Sequence, residues 1–300
     1  VYYLNREALF RDLSNGPGGD RLVDSYVNIV FAQAGSNVRN RFNLKNFLEE
    51  AGIDFCKYAL RRIPVTEEIK EQLHLQVRCG GQPYIPGSSI KGAIRTALIG
   101  YKFTRNDEES VLKNFWKKDY IGQNYFGYYG DDVLKNLLVS DTAPFKQDNL
   151  VIAKFTKYHV VKGKEEIPLI KEVVSAGSNT VFSIKTKARP GDVPADLQCL
   201  CEDHEAELLP IINEYSRQNI KIELELLRRG AANTTELVEF YTDLLQEIDQ
   251  ADPTAEAYMR IGFGKTYYDN TIAQKLSPNT LRRIVSKHFP RNNPQFFPKT

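Results

Sequence analysis

The sequence predicts an α+β protein with about two domains. Three hundred residues, of which 42% are apolar and 26% are charged, are enough for two cores of ordinary size, because a typical domain has about 150 residues. Short segments in which apolar and polar residues alternate predict strands, and apolar residues at helical spacing predict helices between them. Strands and helices mixed in this way are typical of the α+β class.

The N-terminal part of the chain predicts one short strand and several helices. Residues 1–13 have the pattern of a strand or turn that continues into a small helix, and the glycine-rich residues 15–20 predict a loop. Residues 43–51 and 66–71 are expected to be helical, and Thr66 is in position to cap the second of these helices.

The central part contains the best-defined helix of the sequence. Residues 73–79 alternate as a half-buried strand does, and residues 90–101 follow as a helix with one buried stripe. Residues 109–117 predict a more polar helix, and residues 122–130, which are rich in Tyr, Phe and Gly, predict a segment that is largely loop. The stripe consists of Ile90, Ala93, Ile94, Ala97, Leu98 and Tyr101.

The C-terminal half predicts strands and then helices. Residues 150–161 and 172–187 are rich in side chains that favour strands. Residues 202–249 predict two helices separated at Gly230, and Thr234 is in position to cap the second helix. Near the end of the chain a further short helix is expected.

Charge is segregated along the chain although the formal net charge is only +2. Residues 72–106 carry five basic residues and no acid, residues 149–164 carry four and no acid, and residues 270–300 carry six and no acid. Residues 192–256 hold sixteen acids against four basic residues. This distribution favours basic surfaces that bind phosphate, and an acidic region that does not.

The composition argues against several other classes of protein. No run approaches the roughly 20 apolar residues of a transmembrane helix, and no charged and apolar leader opens the chain. The cysteines are too few to be the disulfide framework of a chain of this length, so reduced thiols and a cytoplasmic location are expected. They are Cys56, Cys79, Cys199 and Cys201.

The start of the central helix has the features of a phosphate site. A hydroxyl of Ser88 or Ser89 is expected to cap its first amides, and Lys91 and Arg95 lie one turn apart opposite the apolar stripe. Free amides at a helix N-terminus attract anions, and Gly92 lets another backbone approach closely. A capped amphipathic helix with solvated cations accounts for the same residues, so both interpretations stay open at this point.

Three ordered motifs carry a resemblance to a known family. The segment Pro86-Gly-Ser-Ser-Ile-Lys-Gly-Ala-Ile-Arg-Thr96 is similar to the hallmark helix of the repeat-associated RAMP proteins of CRISPR systems. Phe126-Gly127 and Val139-Ser-Asp141 resemble the Phe-Gly loop of that family and the strand after it. Arg260-Ile-Gly-Phe-Gly-Lys-Thr266 resembles the glycine-rich loop of the family, and the motifs occur in the family's order.

The resemblance implies a fold, a function and partners. The implied fold is two ferredoxin-like (RNA-recognition-like) domains with a helical insertion, the first expected at residues 1–190 and the second, with the acidic helices, at residues 191–300. The implied function is that of a non-catalytic subunit of a type III-A Csm ribonucleoprotein in antiviral defense. Such a subunit binds the 3′ portion of the guide RNA, caps the backbone filament and has a role in guide maturation. The implied partners are guide RNA, target RNA, and the neighbouring backbone and small subunits; no cofactor or metal is expected.

The expected RNA-binding residues come from the central helix, the glycine-rich loop and an acid-free stretch near the N-terminus. Backbone amides and cations at these places suit phosphates, and phosphate contacts position an RNA without specifying its sequence. The expected residues are Gly87, Ser88, Ser89, Lys91, Arg95, Arg39, Arg41, Arg260, Gly262, Gly264 and Lys265.

Two alternative functions stay open at the level of sequence. A Cas6-like, metal-independent endoribonuclease needs an acid–base group. The best local candidate is His159, which lies among Lys154, Lys157, Tyr158, Lys162 and Lys164, although a basic surface strand that carries a histidine is the favoured interpretation. The other alternative is a scaffold subunit of the related type III-B Cmr complex. Such a subunit binds neighbouring proteins more than RNA.

Other motifs are set aside. A nucleotide-binding P-loop needs a glycine at the position of Met259, so ATP binding through Gly264 is not expected. Cys199 and Cys201 form half of a zinc site with no second pair nearby, and two buried thiols are the favoured interpretation. Asp131, Asp132 and Asp141 could bind a metal ion together, but solvated loop residues are the favoured interpretation. For Tyr128 and Tyr129, stacking on RNA bases stays an open alternative.

Overall fold

The computed structural model describes residues 1–34, 44–65, 69, 73–114, 122–160, 163–165, 168–230 and 234–288. The predicted helix at residues 66–71, with its Thr66 cap, falls mostly outside this range. The helices among the described residues are α1 (Arg6–Asn15), α2 (Gly19–Ala34), α3 (Leu44–Glu50), α4 (Gly87–Lys102), α5 (Glu108–Asn114), α6 (Gly122–Phe126), α7 (Leu208–Arg229), α8 (Thr235–Gln250) and α9 (Pro278–His288). The strands are β1 (Tyr2–Leu4), β2 (Ala59–Arg62), β3 (Arg78–Cys79), β4 (Gln82–Pro83), β5 (Leu137–Val139), β6 (Leu150–Phe155), β7 (Tyr158–His159), β8 (Lys164–Glu165), β9 (Leu169–Val174) and β10 (Ile184–Thr186).

Helices and small antiparallel strand pairs alternate along the chain, so the predicted α+β class is confirmed. The chain divides into two compact units, Val1–Gln72 and Leu73–Thr300. No helix among the described residues has the length and apolar character needed to cross a membrane.

The first unit is a strand pair with helices around a small core. β1 pairs antiparallel with β2, and the side chain of Asn5 accepts a hydrogen bond from the amide of Ala8 to cap α1. The strand and the helix that follows it agree with the prediction for residues 1–13. Leu9, Leu13 and Leu48 form the buried centre of this unit.

A long β-hairpin dominates the strands of the second unit. β6 and β9 pair in register from Leu150 opposite Val174 to Phe155 opposite Leu169. β7 and β8 continue the same hairpin towards its tip. The backbone of His74 bridges to β9, donating to the carbonyl of Ile170 and accepting from the amide of Glu172, so the hairpin is joined to the segment that leads into β3.

Hydrogen bonds outside the regular ladders extend this arrangement across the unit. β3 pairs with β4, and the amide of Phe145 then donates to the carbonyl of Pro83 at 2.8 Å. On the other side of the same segment, the amide of Ala143 donates to the carbonyl of Val181, which leads into the β5–β10 pair. The short strand pairs are therefore linked side by side, and β5 ends beside the start of α4.

The core of the second unit is built around α4. Ile90, Ile94 and Leu98 are buried, as the helical spacing predicted, and they pack in one cluster with Phe126 and Leu137. The acidic region forms α7 and α8, and the turn at Gly230 lies between them as expected.

Three local predictions need correction. Residues 122–130 were expected to be largely loop, but α6 occupies Gly122–Phe126 because Phe126 is buried in the core of the unit. Thr234 lies at the start of α8 but does not cap it, since its hydroxyl donates to the carbonyl of Leu227. Tyr101 was expected in the buried stripe of α4, but it is 53% exposed.

Candidate nucleic-acid interface

The first turn of α4 is capped by a distant residue. Pro86 occupies the N-cap position, and the amide of Gly87 donates to Oδ1 of Asp141 at 2.7 Å. The prediction that Ser88 or Ser89 caps the helix is therefore wrong, because both lie inside the helix, where they are exposed. The cap connects two of the sequence motifs directly.

The backbone of Gly87 leaves no room for a side chain. A Cβ atom at this position would be 2.4 Å from the carbonyl oxygen of Ser140 and 2.5 Å from that of Val139. The absence of a side chain lets the start of α4 lie directly against the end of β5. The glycine in the first motif is thus explained by packing against the second motif.

Lys91 binds the protein backbone. Its Nζ donates to the carbonyl of Leu134 at 2.9 Å and to that of Leu137 at 2.7 Å. Burial is the main reason that the pKa of Lys91 is lowered, with a further contribution from Arg95, while Asp132 works in the opposite direction. The ammonium group therefore fastens α4 to the segment that enters β5.

Arg95 binds the Phe-Gly loop. Its Nη2 lies 2.9 Å from Oδ2 of Asp132, and its guanidinium carbon lies 5.3 Å from the centre of the Phe126 ring. The other carboxylate oxygen of Asp132 accepts from the amide of Leu134 at 2.8 Å. Gly127, next to the buried ring, has a φ of +92°, a conformation that favours glycine. The start of α4, the Phe-Gly loop and the Val-Ser-Asp segment therefore pack against one another.

Near the start of α4 the exposed residues are small or polar. Ser88, Ser89 and Gly92 face outwards near the start of the helix. A Cβ at Gly92 would meet no atom within 4 Å, in contrast to Gly87. This exposed patch offers hydroxyl groups and an open backbone to a partner.

The glycine-rich loop is anchored by a partly buried ionic network. Arg260 Nη1 lies 2.9 Å from Oδ2 of Asp269 and 3.1 Å from Oε1 of Glu223, and its Nη2 donates to the hydroxyl of Tyr241. Burial opposes the charge of Arg260, but Asp269, Tyr241 and Glu223 outweigh it and raise the pKa. Asp269 also accepts from the amide of Thr266 at 2.8 Å, which fixes the far end of the loop.

The anchored loop presents one aromatic ring. Phe263 lies between Gly262 and Gly264, whose φ angles are +78° and +86°, and its side chain is 56% exposed. Nζ of Lys171 lies 3.9 Å from the centre of the ring, and the ring of Phe155 lies 5.5 Å away, centre to centre. We call Phe155, Lys171 and Phe263 the aromatic platform.

The aromatic platform adjoins the basic hairpin. Lys154 and Lys164 are exposed on β6 and β8, and His159 is half-buried on β7. Lys265, on the glycine loop, is also half-buried. The platform therefore lies among the positive charges that the sequence places in residues 149–164.

Sequence reasoning selected the glycine loop but missed its aromatic residue. The available signal was a phenylalanine between two glycines, a position with little local packing for a large ring. Phe155 and Lys171 could not be connected with Phe263 from the sequence, since only the β6–β9 pairing and the placement of the loop bring them together. Arg39 and Arg41 lie outside the described residues.

The motifs set aside have structural explanations. Cys199 and Cys201 are buried, as expected, and burial raises the pKa of the Cys199 thiol to about 11. His204 pairs with Glu207 at 2.7 Å. Among the described residues no group of three His, Cys, Asp or Glu side chains is arranged to hold a metal ion.

Two exposed tyrosines stay candidates for stacking. Tyr128 is 68% exposed, and Tyr129 projects fully into solvent. Tyr125, by contrast, packs against the core cluster of the unit, and the centre of its ring lies 5.9 Å from Nζ of Lys102, so it belongs to the framework of the unit.

Comparison with protein families gives a match that covers most of the chain. The description of the matching family is RAMP superfamily, and the match runs over residues 18–267. The chain belongs to the RAMP superfamily. The resemblance inferred from the three motifs is confirmed.

Two individual relatives of the chain share the same protein name. The chain is 34% identical over 113 residues to the CRISPR system Cms protein Csm5 of Streptococcus thermophilus, covering 35% of this chain and 31% of the relative. It is 24% identical over 271 residues to the protein of that name from Methanocaldococcus jannaschii, covering 81% of this chain and 60% of the relative. The chain therefore spans less than two thirds of the length of either relative.

Two solved structures share the fold of this RAMP protein. The crystal structure of T. onnurineus Csm5 matches with a TM-score of 0.62 and 19% identity, over 98% of this chain and 88% of that one. A chain in the cryo-EM structure of a Csm–crRNA–target RNA ternary complex of a type III-A CRISPR-Cas system matches with a TM-score of 0.58 and 20% identity, over 91% and 79%.

Proposed function

We propose that this chain is a non-catalytic RNA-binding subunit of a type III-A CRISPR effector complex. In this proposal it holds the 3′ portion of the guide RNA and caps the backbone filament. The observation that carries the proposal is the aromatic platform, an exposed ring fixed between two glycines and placed against a lysine. Relatives named Csm5 and the Csm–crRNA–target RNA complex among the structural neighbours support it.

The aromatic platform suits a single-stranded RNA. A base stacks on an exposed aromatic ring whatever its sequence, and nearby cations neutralise the phosphates on either side. Lys171 and Lys265 supply positive charge beside Phe263, and the φ angles of Gly262 and Gly264 leave the loop backbone open to close approach.

The start of α4 is proposed as a second contact. Ser88, Ser89 and Gly92 offer hydroxyl groups and backbone without a bulky side chain. Phosphate contacts by Lys91 and Arg95 stay predictions, because both side chains bind protein groups in this structure. The same holds for Arg260, whereas Gly87 acts through close packing.

The finer architecture and the assembly belong to this proposal. Two ferredoxin-like domains with a helical insertion, divided near residue 190, are the arrangement proposed for the chain. Neighbouring backbone and small subunits are its proposed protein partners, and the cytoplasm is its proposed location.

Substitution of the platform ring tests the proposal. The full chain is assembled with its neighbouring subunits, and the affinity for guide RNA is measured by fluorescence anisotropy. Loss of one stacked base is worth about 1–3 kcal/mol, so Phe263→Ala should weaken binding roughly 5- to 150-fold. Phe182→Ala, which removes another exposed phenylalanine ring, is the matched control and should not change it. Equal affinity of Phe263→Ala and the unsubstituted chain would contradict the proposal.

The alternative of an endoribonuclease is tested separately. His159 is half-buried on β7, in the part of the hairpin where β7 pairs with β8. We expect no cleavage of repeat RNA by the purified chain without metal ions. Efficient cleavage that disappears in His159→Ala would replace the non-catalytic proposal with the enzyme.

A further inference from the structure

Helix α8 has an apolar face that the described part of the chain leaves uncovered. Its inner side packs on α7, where Ile248 joins Ile220 and Leu224 in a buried cluster. Beside that contact, Leu237 is 42% exposed and Phe240 is 58% exposed. Together with Leu244 these residues follow the i, i+3, i+7 spacing of one helix face. We call Leu237, Phe240 and Leu244 the α8 stripe.

A cavity borders the α8 stripe. It has a volume of about 230 Å³, and its apolar wall includes Phe240, Leu244, Ile248 and Ile220. The volume is several times the ~30 Å³ that one water molecule occupies in the liquid. The stripe therefore lies at the edge of a depression that can receive a side chain, as docking grooves for helices and peptides do.

The surroundings of the α8 stripe are strongly acidic. α8 contains five carboxylates and no basic residue. Helical spacing places Glu236, Asp243 and Glu247 in a row directly beside the stripe, because they lie at i, i+7 and i+11. All three are exposed, and none has an ion pair with another described residue. An apolar face with a row of unneutralised carboxylates along its edge is complementary to a segment that carries both apolar and basic side chains.

We propose that this face of α8 is a docking surface for a basic, amphipathic segment of another protein. RNA does not fit, because its phosphates are repelled by the carboxylate row. An anionic membrane surface is repelled for the same reason. The ring of Phe240 and the adjoining cavity would bind the apolar side chains of this segment. The carboxylates would orient the segment and increase its rate of association.

Two synthetic peptides of the same apolar pattern probe this surface. One is an amphipathic helix with leucines at i, i+3 and i+7 and lysines elsewhere, and the other has glutamates in place of the lysines. Binding of each labelled peptide to the full chain is measured by fluorescence anisotropy at two salt concentrations. We expect the basic peptide to bind, with an affinity that falls as salt rises, and the acidic peptide not to bind.

Variants of the full chain separate the apolar and the charged contributions. Phe240→Ala should weaken binding of the basic peptide at least tenfold, and the triple variant Glu236→Gln, Asp243→Asn, Glu247→Gln should flatten its salt dependence. Phe263→Ala is the control and should have no effect on this peptide. Thermal unfolding followed by circular dichroism establishes that each variant is folded.

Four results would overturn the proposal. The first is equal binding of the two peptides, and the second is equal binding of the basic peptide to Phe240→Ala and to the unsubstituted chain. The third is self-association of the chain that Phe240→Ala abolishes, which would assign the surface to a second copy. The fourth is peptide binding that appears only in the double variant Phe296→Ser, Phe297→Ser, which would assign the surface to the chain's own C-terminal segment.

Discussion

Gly87 and Gly92 lie five residues apart on α4 and have opposite surroundings. A Cβ at Gly87 would overlap two carbonyl oxygens, whereas a Cβ at Gly92 would enter open space. The first glycine is required by the contact between α4 and β5. The second has no packing role within the described chain, so its effect on the fold is that of a glycine in an exposed helix.

Alanine substitution of the two glycines should therefore change stability in opposite directions. Gly87→Ala should lower the free energy of unfolding by about 2 kcal/mol or more, because backbone atoms must move. Gly92→Ala should raise it by up to about 1 kcal/mol, the difference in helix propensity. Chemical denaturation measures both values. If guide RNA lies against this helix face, Gly92→Ala should also weaken RNA binding while it stabilises the fold.

Asp141 stabilises α4 from outside the helix. Its carboxylate accepts from the first amide of α4 at 2.7 Å, and its negative charge lies at the positive end of the helix dipole. Asp141→Ala should lower the free energy of unfolding by about 1 kcal/mol, as loss of a cap does. Asp148→Ala, at another exposed acid, should change it by less than about 0.5 kcal/mol. Similar effects of the two substitutions would contradict the capping role.

At the scale of elements, the glycine loop depends on a clamp formed by α7, α8 and the residues that flank the loop. Arg260 contacts Glu223 and Asp269 on one side and Tyr241 on the other. Asp269 holds the amide of Thr266, so the same carboxylate fixes both the arginine and the end of the loop. Phe263 is presented on this rigid base.

Removal of the arginine should disrupt the clamp. Arg260→Ala leaves two partly buried carboxylates without their cation, and such a loss costs about 3 kcal/mol or more. Lys265→Ala, five residues further on and without a counterpart in the clamp, should leave the melting temperature nearly unchanged. A small effect of Arg260→Ala on unfolding would show that the clamp does not support the fold.

Some of these elements could be predicted from sequence and others could not. The spacing of Ile90, Ile94 and Leu98 was enough for α4 because a buried helix stripe is a local pattern. The cap of α4 was not predictable locally, since Asp141 lies 54 residues from Gly87. The sequence around Lys91 is typical of a solvated or phosphate-binding cation. In the structure its ammonium group instead donates to two carbonyl groups that lie 43 and 46 residues away in sequence, which no local pattern predicts.

On the scale of the whole molecule, the charges that the sequence segregates serve different surfaces. The basic hairpin and the glycine loop form the proposed RNA surface, and the acidic helices carry the proposed protein surface. Both lie in the unit Leu73–Thr300. We expect Phe263→Ala to weaken RNA binding and Phe240→Ala to weaken protein docking.

The salt dependence of RNA binding should report the cations of the proposed RNA surface. Each phosphate neutralised by a cation contributes about 0.7 to the slope of log affinity against log salt for a single strand. Lys171→Ala combined with Lys265→Ala should lower the slope by about 1.4 if both cations meet phosphates. Replacement of exposed Lys45 and Lys57, in the other unit, provides a variant of equal net charge. An equal change of slope in both variants would indicate a general effect of charge.

Mapping of crosslinks in the assembled complex tests the central claim most directly. Guide RNA is crosslinked by ultraviolet light to the full chain together with its neighbouring subunits, and the modified residues are identified by mass spectrometry. A non-catalytic subunit that holds the guide on the aromatic platform predicts adducts at Phe263 and its neighbours Lys171 and Lys265, and none on α8. Adducts absent from the platform in a complex that contains bound guide RNA would contradict the account.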